Sequence, residues 1–140
     1  MRSPDVNVLV HAFRGESPDH HRAGTWLVEA MSGSEPVGLV PAVIHGFVRV
    51  VTNPRVYAVP TPVASALAQI DSIMAQPITS ILNPGPRHWE IFSALCREAD
   101  VRGNLVSDAA LAAIAIEHAA TWVTFDRDFA RFAELRWQLP

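Results

Sequence analysis

The sequence predicts an α/β protein of the three-layer α/β/α kind, with a central parallel sheet covered by helices on both faces. Three observations carry that prediction. Short apolar runs of strand length, Val37 to Val40, Ile78 to Leu82 and Trp122 to Phe125, recur along the chain. Between them lie longer stretches whose apolar residues repeat at intervals of three and four, the helical period. The two kinds alternate, and alternation of strand and helix is the mark of a parallel sheet whose crossovers pack on its faces.

Taken in order, Arg2, Ser3 and Pro4 make a poor central strand, because proline lacks a ladder donor and arginine is not a core residue. Either the first strand is very short or the true start lies upstream. Val6 to Phe13 is apolar enough to pack on the sheet as a helix. Ser17 and Pro18 read as a cap and first-turn pair, followed by Ala23, Trp26, Leu27, Ala30 and Met31 at helical spacing. His20 and His21 fall in that first turn and read as solvated. After the strand at Val37 to Val40, Pro41 opens a helix with the stripe Ile44, Phe47, Val48 and Val51.

Asn53 to Pro60 is a loop. Thr61 and Pro62 open a helix with Val63, Ala66, Leu67, Ile70, Ile73 and Met74 on one face. Following the strand at Ile78 to Leu82, the turn Asn83 to Pro86 leads to a helix whose inner face is Trp89, Phe92, Cys96 and Ala99. Ser107 and Asp108 start the next helix, which is apolar from Ala109 to Ile116; serine suits a cap, and the helix dipole favours an aspartate there. Trp122 to Phe125 is then a strand ending at Asp126, and Arg136 to Leu139 reads as an edge strand.

At 140 residues the chain is long enough to bury a sizeable core, and residues 1–140 read as one domain. Its 49% hydrophobic and 18% charged composition describes a compact soluble protein. The longest apolar run falls far short of the ~20 residues of a membrane span, and the N-terminus has no signal-peptide core. A single cysteine, Cys96, cannot form an internal disulfide, which fits a reducing cytoplasm. The net charge of −3 argues against nucleic-acid binding through a broad basic surface. An acidic pocket that binds cations handles phosphate in another way, through the metal.

Three aspartates fall where such chemistry belongs. In open parallel sheets the reactive groups lie beyond the carboxyl ends of the strands. Asp126 ends a strand, Asp108 opens a helix, and Asp5 lies just beyond the first strand. A lone aspartate at a helix start is usually a cap, but three in one crevice repel, and one would stay protonated unless a cation compensates. Oxygen-only ligands favour Mg²⁺ or Mn²⁺ over zinc, so Asp5, Asp108 and Asp126 are the candidate metal ligands. Asp128 has two readings, a fourth catalytic carboxylate or a first-turn residue. Asn7 and Arg127 are candidate substrate contacts, and Thr124 and Ser107 are candidate partners for the carboxylates.

The segments PDVN near the start and LVSDAALAAIAIEHAATWVTFDRDFARF near the end resemble a VapC-type PIN domain. The specific part is an aspartate, an Ala-rich helix, a strand and T-x-D-x-D-F. The resemblance implies a PIN-like fold and a metal-dependent endoribonuclease that hydrolyses RNA, the toxin of a type II toxin and antitoxin pair. It further implies inhibition by a cognate VapB-type antitoxin and pairing as a homodimer. Arg14, Arg127 and Arg131 would flank the acidic site as a mixed-charge groove for that partner. The family places a glutamate near positions 45 and 46, where this sequence has His45 and Gly46. That departure keeps a second function open, a catalytically weakened domain retained as a protein- or RNA-binding module.

Other chemistries lack their residues. All eleven basic residues are arginine, so no phosphate-binding loop of the G-x-x-x-x-G-K-S/T kind is present. No G-x-S-x-G nucleophile elbow occurs either.

Overall fold

The computed structural model describes residues 1–140. Five parallel strands, β1 (Arg2–Pro4), β2 (Val37–Leu39), β3 (Thr79–Ile81), β4 (Thr121–Val123) and β5 (Trp137–Gln138), form one sheet in the order β3-β2-β1-β4-β5. Six helices connect them: α1 (Val6–Phe13), α2 (His20–Ser32), α3 (Pro41–Val51), α4 (Val63–Met74), α5 (His88–Glu98) and α6 (Leu105–Glu117). A 3-10 helix at Arg127–Arg131 links β4 to β5. Right-handed crossovers put α1 to α4 on one face and α5 and α6 on the other. The packing agrees, since α1 meets α2 and α3, α3 meets α4, and α5 meets α6.

The weakest expectation concerned β1, which the structure makes a very short strand in the middle of the sheet. Pro4 is tolerated because the ladder to β2 is the single pair Arg2 with Val37, so no donor is required of the proline. Toward β4 the pairing runs over three residues, and the Asp5 amide extends it by donating to the Val123 carbonyl at 2.9 Å. Arg2 keeps its charge out of the core, with its guanidinium 2.9 Å from Glu35 and 5.7 Å from the Trp26 ring.

One apolar cluster of 31 buried residues lies between the layers. The alanines of α6 (Ala109, Ala112, Ala113 and Ala115) are completely buried and let that helix lie close to its neighbours. At the end of α6 the chain turns in a Schellman motif. The Ala120 amide donates to the Ala115 carbonyl at 2.8 Å and the Ala119 amide to Ile116 at 3.0 Å. The residue that takes the left-handed conformation, Ala119 at φ 52°, is not the glycine usually found there.

Several expected details differ. The second helix begins after Asp19 rather than at Ser17, whose hydroxyl lies 2.5 Å from His11 Nδ1 and accepts the Asp19 amide at 3.3 Å in the turn before the helix. His20 is also tied in, its Nδ1 lying 3.0 Å from the His11 carbonyl, while His21 is exposed. On α4 only Ala66, Ile70 and Ile73 are buried, whereas Val63, Leu67 and Met74 face outward. On α5 the inner positions are Ile91 and Leu95, one turn apart; Trp89 falls off that stripe and is 73% exposed. Phe92, Cys96 and Ala99 are half-buried beside the core.

Candidate active site

Going from β1 to β3 the sheet is built outward in one direction, and β4 then returns to the other side of β1. The crevice beyond the ends of β1 and β4 is therefore the topological switch point, the place where parallel α/β sheets bind ligands. Asp5 follows β1, and Asp126 lies three residues after β4. The two candidate ligands thus arise from the two strands that flank the switch.

Asp5 is the cap of α1. Its backbone is extended and its Oδ1 accepts the Val6 amide at 2.6 Å. Its Oδ2 accepts from the Thr124 hydroxyl at 2.6 Å and from Asn7 Nδ2 at 2.9 Å. The Thr124 hydroxyl in turn accepts from Asn7 Nδ2 and from the Asp126 amide, each at 3.0 Å. Its one donor and two lone pairs are then all used. Asn7 Oδ1 accepts the Phe125 amide at 3.1 Å. Residues of the TFD segment after β4 are thereby stitched to the DVN segment after β1. Asn7 spends both ends of its amide on this network, its Nδ2 donating to Asp5 and Thr124 and its Oδ1 accepting from Phe125.

Asp126 caps the 3-10 helix, accepting the Asp128 amide at 2.8 Å. Asp128 lies in the first turn of that helix, exposed, with Oδ1 3.4 Å from Arg131. Arg127, between the two aspartates, is exposed and has no ion pair.

Asp108 arrives from the other helix layer. The expected helix start at Ser107 and Asp108 is displaced, because α6 begins at Leu105 after a turn in which Gly103 has φ 57°. Asp108 therefore sits one turn inside the helix and caps nothing. No backbone donor claims its carboxylate, which faces the crevice half-buried. Ser107 is exposed and caps nothing either.

The electrostatics follow from this convergence. Burial pushes the Asp5 carboxyl above its ordinary range; the bonds from Thr124 and Val6 pull it down, and the charges of Asp108 and Asp126 raise it further. Asp108 is also raised, first by burial and then by Asp126 and Asp128, with Arg131 easing the effect. Asp5 and Asp108 therefore both sense the charge of Asp126. In their present side-chain positions, no three His, Cys, Asp or Glu side chains come close enough to hold one ion.

From α3 no carboxylate comes. His45 is exposed, and Gly46 backs onto α1 so closely that a Cβ there would stand 2.7 Å from Val6 Cγ2. Arg14 does not flank the crevice. It follows the far end of α1, about 13 Å along the axis from Asp5, where it bonds Thr61 Oγ1 at 2.8 Å, pairs with Glu16 and stacks on Tyr57. Sequence reasoning also passed over a cavity of about 500 Å³ adjoining the crevice, lined by Val6, Gly46, Arg49, His88, Ser107 and Leu111 among others. Its lining comes from four separate parts of the chain, and no spacing in the sequence announces it.

A parallel sheet in this order, with carboxylates converging on its switch point, defines a class. The chain belongs to the PIN domain family, whose family model matches residues 4–135. Within that family it is similar to ribonuclease VapC43 of Mycobacterium tuberculosis, 45% identical over 140 residues, covering 100% of this chain and 95% of that one. Ribonuclease VapC25 of the same organism is 42% identical over 132 residues, covering 94% and 93% of the two chains. Among solved structures, the fold is shared with VapBC2 from Rickettsia felis bound to a DNA fragment from their promoter. The TM-score is 0.71 at 16% identity, over 99% of this chain and 98% of that one. FitAB bound to an IR36 DNA fragment gives a TM-score of 0.68 at 17% identity, over 100% and 95% of the chains.

Proposed function

We propose that the protein is a metal-dependent endoribonuclease, the toxin of a VapBC-type toxin and antitoxin pair, acting as a single domain in the cytoplasm. The observation that carries this reading is the convergence of Asp5, Asp108 and Asp126 on the switch point, with two of the three carboxyls raised by burial and mutual repulsion. The names of the VapC relatives, ribonucleases at 38–45% identity, support it. No helix of the chain is long and apolar enough to cross a membrane.

The donor set is all oxygen, which suits Mg²⁺ or Mn²⁺, and a cation between the carboxylates offsets the burial and the repulsion that together raise Asp5 and Asp108. Asp5, Asp108 and Asp126 would hold it. Bound there, it supplies Lewis acidity toward a phosphoryl oxygen and a water activated for attack. The chain's own groups orient and stabilise. Thr124 and Asn7 fix the Asp5 carboxylate, and Asp126 sets the entry to the 3-10 helix. Arg127 is free for a substrate phosphate, a contact its planar fork suits. Asp128 borders the site and, paired with Arg131, shapes its charge.

The test is cleavage of single-stranded RNA by the purified protein with Mn²⁺ or Mg²⁺, compared with Asp108→Asn. Metal-dependent cutting that the substitution abolishes is the expected result; identical traces from both proteins overturn the proposal. That second result would favour the binding-module reading, which rests on α3 presenting His45 and Gly46 without a carboxylate. The partners proposed are a VapB-type antitoxin and a second copy of the chain. Support comes from the fold shared with VapBC2 and FitAB, each bound to a DNA fragment. Co-purification from the native host at low salt, followed by mass measurement, tests both, and a lone monomer contradicts both.

A further inference from the structure

We infer that the cavity beside the catalytic crevice is a nucleobase subsite, and that Arg49 at its edge holds a phosphate of the same RNA strand. The inference rests on the ribonuclease reading and assigns part of its substrate contact. The position of the cavity is the first argument. Val6 and Ser107, both in its lining, are the immediate chain neighbours of Asp5 and Asp108. A strand whose scissile phosphate lies among the carboxylates therefore passes the cavity within about one nucleotide.

Its chemistry is the second argument. The cavity measures about 500 Å³, within the ~300–1,000 Å³ typical of small-molecule sites. Leu111, Ile114 and Val6 give it an apolar wall, and His88 gives it an aromatic one. The His88 ring is backed by Phe92, whose plane is only 13° from its own at 6.1 Å between centroids. A flat heterocycle slotted between aliphatic and imidazole surfaces is stabilised by stacking, and because bases differ in stacking strength such a slot favours the better-stacking base at its one position. Recognition of single-stranded RNA works through such splayed bases.

Charge is the third argument. The face of α3 turned to the cavity is Ala42, Gly46 and Arg49, at helical intervals of four and three. Gly46 lets Val6 of α1 pack against α3, since a Cβ there would stand 2.7 Å from Val6 Cγ2, and Arg49 is exposed and forms no ion pair. In a chain with net charge −3, an unpaired guanidinium at the mouth of a cavity that adjoins three carboxylates attracts a polyanion locally. Trp89, the residue after His88, is exposed and packs on the same Phe92 at 5.7 Å, so the stacking surface continues outward.

The experiment uses the full chain and a pool of single-stranded RNA oligonucleotides with a randomised centre. Cut ends produced in Mn²⁺ are sequenced, and in parallel the fraction bound in Ca²⁺ is sequenced. The wild-type protein is expected to show a base preference at one position next to the cut and at the matching position in the bound fraction. Ala110→Phe, which fills the cavity from α6, is expected to erase that preference. It should also raise KM about tenfold, the loss of one stacked base, with kcat within about twofold. Arg49→Gln, on an exposed site that leaves folding intact, is expected to raise KM by a similar factor while keeping the base preference. Unchanged KM and unchanged preference in both variants overturn the subsite. A wild-type protein that binds with a base preference yet cuts nothing overturns the ribonuclease reading and leaves the subsite supported. Binding without any preference overturns the subsite whether or not cutting occurs.

Discussion

The Thr124 hydroxyl donates a 2.6 Å hydrogen bond to Asp5 Oδ2 across a sequence separation of 119 residues. This one contact ties the end of β4 to the end of β1 and fixes the rotamer of the most buried carboxylate of the site. A buried acceptor that loses its donor costs about 1–3 kcal/mol.

Thr124→Val keeps the shape and removes the hydroxyl. It is expected to lower stability by about 1–3 kcal/mol and metal affinity or activity by about 10- to 100-fold, the usual effect of losing a group that orients a ligand. Thr124→Ser restores both. Denaturant unfolding and metal titration monitored side by side check this, and a Val variant with full metal affinity contradicts the positioning role.

Asp108→Asn is expected to abolish cleavage while raising the melting temperature of the metal-free protein at neutral pH. The sign follows from linkage. Asp5 and Asp108 hold protons more tightly in the folded chain than in the unfolded one, so stability falls as pH rises from about 4, their ordinary value, through the raised folded values. Metal-free melts in a chelator should therefore decline as pH rises from about 4 through the folded values in the wild type, and decline less in the variant. Added Mn²⁺ should stabilise the wild type more than the variant. Equal metal-induced shifts in the two proteins would remove Asp108 from the ligand set.

Much of this site was legible in the sequence because each aspartate sits at a local boundary. Asp5 precedes an apolar helix, and Asp126 follows a strand rich in β-branched and aromatic residues. What single positions conceal is which boundary role each one plays. The capping reading holds for Asp5 and Asp126, whose oxygens take the Val6 and Asp128 amides. It fails for Asp108, because Leu105 to Ser107 join α6 ahead of it. The central place of β1 was hidden for a different reason. A three-residue strand has no periodicity, and Arg2 belongs there only because Glu35 and Trp26, more than twenty residues away, receive its side chain. Trp89 was misplaced because aromatic residues at helical spacing fit two adjacent phases, and Ile91 with Leu95 took the inner one.

Glu117 clamps the turn that walls the cavity. Burial alone would raise its carboxyl, but the amides of Gly85 at 2.7 Å and Arg87 at 2.8 Å hold it below its ordinary value. A depressed carboxyl stabilises the fold above its unfolded value of about 4.3 and ceases to do so as pH falls through the folded value. Glu117→Ala should accelerate hydrogen exchange at the Gly85 and Arg87 amides about tenfold or more, with the Asp5 amide unaffected. At acidic pH the wild type should exchange there like the variant. Exchange at both amides that ignores pH and the substitution alike would count against the clamp.

Ala119 offers a test of the fold that leaves the site alone. It occupies the left-handed position of the Schellman motif after α6, at φ 52°, where a Cβ is unfavourable by about 1 kcal/mol. The Ala120 amide reaches back to Ala115 and the Arg136 guanidinium bonds the Ala119 carbonyl, so neighbouring contacts hold the conformation in place. Ala119→Gly relieves the strain but adds backbone freedom to the unfolded chain, and the two effects oppose. Relief is expected to prevail, with a net gain of up to about 0.5 kcal/mol, because the position is exposed and loses no packing when the methyl group is removed. In an RNA cleavage assay the variant should match the wild type, since Ala119 lies at the opposite end of α6 from Asp108. Urea denaturation of the two proteins decides the matter: a midpoint that falls on substitution to glycine would mean that the left-handed turn is not the strained one the geometry describes.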